Sequence, residues 1–224
     1  MVAHPPRQLT FDLPHAESLS RDNFLEGPPN AAALALIDRW PDWPNRVMWL
    51  AGPEGAGKSH LAAIWAEASG ARSTTAQALD AAGVPAALAT GALVVEDLAA
   101  GAIDERALFH LLNLAREYEA YVLITARQPP AMLTVELRDL RSRLRALPVV
   151  TLNPPDDALF RELIVKFCAD RQMQIDDSLV SYLSSRIERS FAAARRTVER
   201  LDTEALRLRR PVTRALAAEL LKDD

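Results

Sequence analysis

The 224-residue sequence predicts an α/β domain with a parallel sheet, followed by a small all-helical domain. Three observations support this fold class. Between residues 30 and 152, short apolar runs alternate with helical patterns, which is typical of a parallel sheet with helices on both faces. A glycine-rich turn at residues 52–59 joins one apolar run to a helix. After Asn153-Pro154-Pro155, no convincing strand follows.

Each element of the α/β part rests on a local pattern. Asn30 is a suitable cap for the first helix. Leu108, Leu111 and Ala115 follow the 3.6-residue period of a later helix. The strands are short runs of apolar residues, of which the one at 71–75 is the weakest. The predicted strands span 47–51, 71–75, 92–96, 121–125 and 148–152, and the predicted helices 30–39, 58–69 and 105–119.

The C-terminal part consists of helical patterns. Asp156 and Asp157 are placed to cap a helix that ends near Arg171. Further helices are predicted at 176–185, 191–208 and 213–221. We therefore expect three parts, an N-terminal tail (1–22), an α/β domain (23–154) and a helical domain (155–224).

Composition excludes several classes of protein. The formal net charge is −4, whereas proteins that grip long stretches of nucleic acid are usually basic. The single cysteine, Cys168, cannot form an internal disulfide and fits an apolar helical run as a core residue. No apolar stretch is long enough to span a bilayer, and the start has no secretory signal. These features predict a cytoplasmic protein without membrane attachment.

The tail contains one apolar cluster in a polar, proline-rich context. Leu9, Phe11 and Leu13 stand at alternate positions, so an extended chain would present them on one side. Either they dock onto the body of the protein or they form a short linear motif for a partner's pocket. The residues alone do not decide between these two interpretations.

The strongest chemical signal is an uninterrupted G-x-x-x-x-G-K-S match between a predicted strand and a predicted helix. In such a loop, backbone N–H groups converge on phosphate oxygens, and the helix N-terminus adds a positive dipole end. Lys58 would reach the β- and γ-phosphates, and Ser59 would bind Mg²⁺. The predicted nucleotide-binding residues are Gly52, Pro53, Gly55, Ala56, Gly57, Lys58, Ser59 and His60.

Polar residues also end two of the predicted strands. Glu96 and Asp97 follow an apolar run, so they would lie at the carboxyl edge of the sheet beside the phosphate loop. One acid would hold Mg²⁺, and the other would orient the attacking water. Thr125 ends the next strand, where it can contact the γ-phosphate or that water.

An arginine-dense stretch precedes the last predicted strand. Arg141, Arg143 and Arg145 alternate with other residues over positions 140–145. Such a stretch is either a solvated helical face or an arginine finger, which neutralises transition-state charge on a nucleotide held by a neighbouring subunit.

Taken together, these motifs resemble the AAA+ core of the bacterial DnaA/Hda family, in which an α/β base is followed by a helical lid. The resemblance rests on the phosphate loop, on Glu96-Asp97 and on Leu140-Arg141-Ser142-Arg143-Leu144, and it covers the chain from about Asn23 onwards. Residues 125–130 are also similar to the family's T-x-D-R-P-P stretch. Because the sequence ends at Asp224, just after the lid, it is more similar to the short regulatory Hda branch than to DnaA.

The resemblance implies a function. Hda proteins begin with a motif for the β sliding clamp of DNA polymerase III, which here matches Gln8, Leu9, Phe11 and Leu13. The clamp-loaded protein stimulates hydrolysis of the ATP bound to DnaA and so restrains replication initiation. Arg143 matches the family's trans-acting finger. The resemblance also implies bound ADP or ATP with Mg²⁺, at most weak intrinsic hydrolysis, and no direct sequence-specific DNA binding.

Two positions depart from the family pattern. Ala192 stands where the lid's sensor-2 arginine is expected, and Arg127 replaces the aspartate of T-x-D. Both departures favour retention of a nucleotide over fast turnover. The alternative function is an ATPase that loads or remodels DNA-bound replication complexes. A small-molecule kinase is a weaker alternative, because no substrate pocket is apparent. The sequence leaves open whether the chain is a monomer or a nucleotide-gated homodimer.

Overall fold

The computed structural model describes residues 19–99 and 103–222. Its first part is an α/β unit, which we call the base, and its second part is a helical unit, which we call the lid. The strands of the base are β1 (Val47–Ala51), β2 (Arg72–Thr75), β3 (Ala92–Leu98), β4 (Tyr121–Ala126) and β5 (Val149–Thr151). Its helices are α1 (Ala31–Asp38), α2 (Lys58–Ser69), α3 (Val84–Ala87), α4 (Glu105–Glu117) and α5 (Arg138–Arg145).

The sheet is parallel throughout, with strand order β2-β3-β4-β1-β5. Residues alternate between its two faces, as the strand period requires. Leu93 and Val95 pack with α3, α4 and α5 on one face, whereas Ala92 and Val94 pack with α1 and α2 on the other. All strand carboxyl ends therefore meet at one edge, where the phosphate loop follows β1.

The lid consists of α6 (Asp157–Asp170), α7 (Asp177–Arg186), α8 (Phe191–Leu208) and α9 (Arg214–Leu220) around a separate apolar core. Each helix begins with a side-chain cap that accepts a backbone N–H of its first turn. The capping residues are Asp156, Asp176, Ser190 and Thr213. Cys168 is fully buried in this core, as its apolar surroundings in the sequence predict.

The observed elements confirm the predicted α/β fold with a helical lid. One predicted contact differs, because the side chain of Asn30 does not cap α1. Its Oδ1 accepts the Gly27 N–H at 2.9 Å and its Nδ2 donates to the Leu25 carbonyl, which closes the preceding turn instead. Within the described ranges, no helix is both long enough and apolar enough to cross a bilayer.

Candidate nucleotide-binding site

The phosphate loop leaves β1 at Gly52 and enters α2 at Lys58. Gly55 (φ +70°) and Gly57 (φ +98°) adopt the left-handed conformation that L side chains rarely adopt. Their glycine identity therefore permits the backbone turn that directs the loop toward the carboxyl edge of the sheet. The resulting strand–loop–helix arrangement is the one that phosphate binding requires.

Lys58 is held against the loop that it is predicted to serve. Its Nζ donates to the carbonyl oxygens of Gly52 and Pro53, both at 2.8 Å, and the residue is only 7% exposed. Burial lowers the pKa of this ammonium group, and the nearby Asp97 carboxylate partly opposes that shift. The lysine is therefore a preplaced cation with two carbonyl contacts that a phosphate can replace.

A cavity of about 670 Å³ opens beside the loop, a volume that suits a nucleotide. Besides the loop and the start of α2, three other parts of the chain line it, namely the segment before α1, the carboxyl edge of the sheet and the start of α8. The lining residues are Leu19, Glu54, Gly55, Gly57, Lys58, Ser59, His60, Asp97, Leu98, Ala99, Arg127, Phe191, Ala192 and Arg195. The cavity therefore lies between base and lid.

The two predicted acids occupy different positions. Asp97 has a φ of +56° at a register shift in β3, and its N–H donates to the Thr125 hydroxyl at 3.2 Å. This places Asp97 in the cavity lining, whereas Glu96 stands opposite Thr75 of β2 and outside the lining that the described residues form. Thr125 is 1% exposed, so its hydroxyl fixes the Asp97 backbone from behind.

Some of the remaining predicted loop residues line the cavity, and others lie outside its lining. Ser59 and His60 line the cavity, and the His60 ring also contacts the Ser20 carbonyl at 3.0 Å and the Phe24 ring edge-on at 5.2 Å. Gly52 and Pro53 form the floor that holds Lys58, and Ala56 is buried beneath the loop. Contacts between the N-terminal segment and the base thus begin before the predicted boundary at residue 23.

The hard oxygen ligands needed for magnesium are present. The Ser59 hydroxyl and the Asp97 carboxylate both line the cavity. Mg²⁺ in nucleotide sites is commonly held by one or two such protein oxygens, with phosphate oxygens and water as its other ligands. This donor set therefore fits a Mg²⁺–nucleotide complex.

The lid touches the phosphate loop directly. The Phe191 N–H donates to the Gly55 carbonyl at 2.9 Å, and a Cβ added to Gly55 would lie 3.0 Å from the Cβ of Ala192. Ala192 is thus at the cavity, as its predicted register requires, but it brings no charge there. Arg195, one turn later, also lines the cavity.

Several residues that line the cavity were not predicted from the sequence. Leu19 and Phe191 carry no local signal, because only the folding of remote segments over the loop brings them to the cavity. Glu54 is one of the unspecified positions of the motif. Arg127 was recognised as a departure from a family pattern, yet its position directly after β4 could have marked it as a cavity residue.

Arg143 lies at the opposite edge of the sheet. It is on the exposed side of α5, whose Leu140 and Leu144 are buried, and its guanidinium carbon Cζ lies over the Phe109 ring, 4.9 Å from the ring centroid. It helps to line a second cavity of about 620 Å³ with Asn45 and Val47, at the amino end of β1. Because the phosphate loop follows the carboxyl end of β1, the two cavities are separated by the length of the strand.

The neighbouring Arg141 is not equivalent to Arg143. Arg141 donates to the Val135 carbonyl of its own chain. Arg143, by contrast, places its guanidinium over the Phe109 ring. The predicted clamp motif, Gln8, Leu9, Phe11 and Leu13, lies outside the described residues.

Comparison with known proteins identifies relatives among replication initiators. DnaA of Thermomicrobium roseum is 24% identical over 90% of this chain, and DnaA of Symbiobacterium thermophilum is 25% identical over 58%. The chain spans 49% and 29% of the length of these two relatives. No protein-family model matches the sequence.

Solved structures agree on the fold. Domain III of Thermotoga maritima DnaA superposes with a TM-score of 0.74 at 19% identity, covering 92% of this chain and 96% of that domain. AMPPCP-bound DnaA from Aquifex aeolicus gives 0.67 at 16% identity, covering 82% and 64%. A T. maritima RuvB variant gives 0.71 at 19% identity, covering 91% and 71%. The chain is therefore similar in sequence to DnaA replication initiators and has the fold of DnaA domain III.

Proposed function

We propose that this protein binds ADP or ATP with Mg²⁺ at its phosphate loop and stimulates hydrolysis of ATP held by a DnaA partner. Lys58 and the loop N–H groups would bind the phosphates. Ser59 and Asp97 would hold the metal, with Glu96 acting through water. Bound Mg²⁺ would neutralise phosphate charge. The bound nucleotide would set the position of the lid, because the cavity lies between base and lid.

The observation that carries this proposal is the position of Arg143. It lies at the amino edge of a parallel sheet, whereas the chain's own nucleotide cavity lies at the carboxyl edge. A guanidinium so placed cannot reach the nucleotide of its own chain. It is exposed and supported by Phe109, which suits contact with a nucleotide on another subunit.

The lid contact supports a regulatory role over rapid turnover. The Phe191 N–H binds the Gly55 carbonyl, and Ala192 supplies no guanidinium to the phosphates. A lid that rests on the loop backbone can hold a nucleotide in place without a guanidinium at position 192, the expected sensor-2 position. We therefore expect slow intrinsic hydrolysis and long retention of ADP.

The N-terminal motif completes the proposal. Gln8, Leu9, Phe11 and Leu13 would bind the β sliding clamp of DNA polymerase III in extended form, with alternate side chains entering a pocket. The described chain begins at Leu19, beside the nucleotide cavity, so the motif precedes the cavity by few residues. We propose that the clamp concentrates the protein on DNA, where DnaA acts, and that the protein itself makes no sequence-specific DNA contact.

The test is single-turnover hydrolysis of DnaA-bound ATP in the presence of ADP, DNA-loaded clamp and this protein. We expect wild type to accelerate hydrolysis, and Arg143→Ala to lose at least about 100-fold of that acceleration, since trans-acting fingers contribute 10³–10⁵. The double variant Leu9→Ala/Phe11→Ala should also lose this acceleration, because the proposed function makes stimulation depend on the clamp. Arg145→Ala is the matched control and should retain it.

One result of this experiment would contradict the regulatory proposal. If wild type leaves DnaA unaffected but hydrolyses its own ATP briskly, the regulatory proposal is wrong. An ATP-driven loader or remodeller of DNA-bound complexes would then be the better hypothesis. Nucleotide-dependent binding to DNA at moderate salt would support that alternative.

A further inference from the structure

An exposed ion pair spans the mouth of the nucleotide cavity. Arg127 Nη2 lies 2.6 Å from Glu54 Oε2, and their side chains are 69% and 71% exposed. Both residues line the cavity. Ion pairs this accessible to water are weak, so the contact can be exchanged for a stronger one.

The backbone places Arg127 beside the phosphate loop. β4 ends at Ala126, which pairs with Ala51 of β1, and the Gly52 N–H donates to the Ala126 carbonyl at 3.1 Å. Arg127 therefore directly follows the residue whose carbonyl is hydrogen-bonded to Gly52, the first residue of the loop. Its backbone is fixed, and its long side chain is the part that can move.

The charges around the cavity favour a role for this guanidinium. After burial, which is the larger cause, the Arg127 charge also lowers the pKa of Lys58. The two cations thus share one electrostatic environment. Two like charges near each other are unfavourable until an anion lies between them. Glu54 supplies part of that compensation in the present conformation.

The lid residue that packs on the loop tip carries no charge. Ala192 occupies the position that packs on Gly55, so the side chain closest to the loop from that side is a methyl group. Arg195 approaches from one turn further along α8. The cavity lining formed by the described residues thus contains two guanidinium groups, that of Arg127 from the base and that of Arg195 from α8, and none at position 192.

We propose that Arg127 is a phosphate-positioning residue that Glu54 holds until a nucleoside di- or triphosphate enters the cavity. This inference rests on the proposed nucleotide site. The phosphate would displace the Glu54 carboxylate, and the guanidinium would bind phosphate oxygens in bidentate fashion. Glu54 thereby competes with the ligand for the same donor.

Competition gives the two partners opposite effects on affinity. Arg127→Ala should weaken ADP binding about tenfold, because a charge-assisted contact to phosphate is lost. Glu54→Gln should instead tighten ADP binding by about two- to fivefold, because the competing carboxylate is removed while the side-chain shape is kept. Arg127→Lys should recover only part of the loss, since an ammonium group cannot bind bidentately.

The measurement is equilibrium titration of the full chain with fluorescent N-methylanthraniloyl-ADP and Mg²⁺. The matched control is the exposed pair of Arg161 and Asp177, which also lies at 2.6 Å but belongs to the lid surface. Arg161→Ala and Asp177→Asn should both leave the ADP affinity unchanged. Thermal melts of all variants distinguish lost binding from lost folding.

The inference is supported if Arg127→Ala weakens ADP binding and Glu54→Gln strengthens it. Weakening by both variants would identify a structural ion pair and overturn it, as would an unchanged affinity for Arg127→Ala. In either of those cases ADP binding by wild type keeps the proposed nucleotide site intact. If wild type itself fails to bind ADP, the proposed function and this inference both fall.

Discussion

The two cavities at opposite edges of the sheet are similar in volume but different in construction. The carboxyl-edge cavity contains a buried lysine held by two backbone carbonyls, a strained aspartate and a lid in contact with the loop. The amino-edge cavity is lined by Arg143 and two further arginines, Arg46 and Arg116, with Glu119 as its one acidic lining residue among the described part of the chain. Its Arg143 is exposed on a helix surface.

This difference indicates different tasks. Preorganised donors suit a site that binds and retains a ligand. An exposed, positively charged surface suits an encounter with an anion that another molecule carries. Under the proposed function, the parallel sheet would separate the nucleotide that the chain holds from the DnaA-bound nucleotide that it acts upon. Variants that affect one edge and leave the other unchanged test this separation.

The largest effect is expected at the carboxyl edge. Lys58→Ala should lower ADP affinity about 100-fold, because it removes the buried cation of the phosphate loop. Isothermal titration calorimetry with ADP and Mg²⁺ measures this change. Lys166→Ala is the matched control, since that lysine contacts Asp170 and Asn23 and is outside the cavity lining that the described residues form. Retention of ADP binding by Lys58→Ala would disprove the site assignment.

The contact between lid and loop should give the next largest effect. Gly55→Ala places a Cβ 3.0 Å from Ala192 at a left-handed φ of +70°. We expect ADP affinity to fall about tenfold, from a backbone cost of about 1–2 kcal/mol and the displaced lid. Gly70→Ala carries the same backbone strain at φ +68° without any atom within 4 Å. It should cost stability but leave ADP affinity unchanged.

If both glycine variants weaken ADP binding equally, general destabilisation rather than the lid contact would explain the result. Thermal denaturation of the two variants provides the comparison. Equal melting temperatures with unequal affinities would locate the effect at the cavity.

Cys168 offers a way to measure the lid's response. Burial raises the pKa of its thiol to about 11 from an ordinary value of 9.0. Thiol labelling at pH 8 should therefore follow opening of the lid core, and ADP at four times its Kd should slow it about fivefold. A labelling rate that does not change when ADP is added would show that opening of the lid is independent of the cavity.

The raised pKa of the Cys168 thiol predicts the direction in which the free energy of unfolding changes with pH. The unfolded thiol loses its proton near pH 9, whereas the folded thiol keeps it until about pH 11. Between these values the unfolded state binds fewer protons, so the free energy of unfolding should fall as pH rises. Cys168→Ala should remove this part of the decline in a series of urea denaturation curves.

The sequence predicted most of the fold because its signals are local. β1 and α2 begin and end where their apolar runs and the P-loop motif placed them. α5 was seen only as an arginine-rich stretch, since two leucines, Leu140 and Leu144, are its entire apolar face. The last two residues of β3 were missed because a non-glycine residue at positive φ, Asp97, has no sequence signature.

The candidate site was predictable only in part for the same reason. The loop motif identified Lys58 and Ser59 directly. The motif could not show that Asp97 rather than Glu96 would enter the cavity, because a register shift at the end of β3 decides this. Nor could it reveal Leu19 or Phe191, which lie about 40 and 130 residues from the loop and reach it only through tertiary packing.

The smallest expected effect provides the sharpest test of the two-edge comparison. Arg143→Ala should change ADP affinity by less than about twofold, since the five residues of β1 separate the two edges by roughly 17 Å, beyond the ~10 Å screening length. Arg195→Ala, which removes the same group from the cavity lining, should weaken ADP binding by about threefold or more. Titration of both variants under one set of conditions makes the comparison. If the Arg143 variant loses as much affinity as the Arg195 variant, the two edges are coupled, and a guanidinium dedicated to another subunit's nucleotide is no longer the simplest account of Arg143.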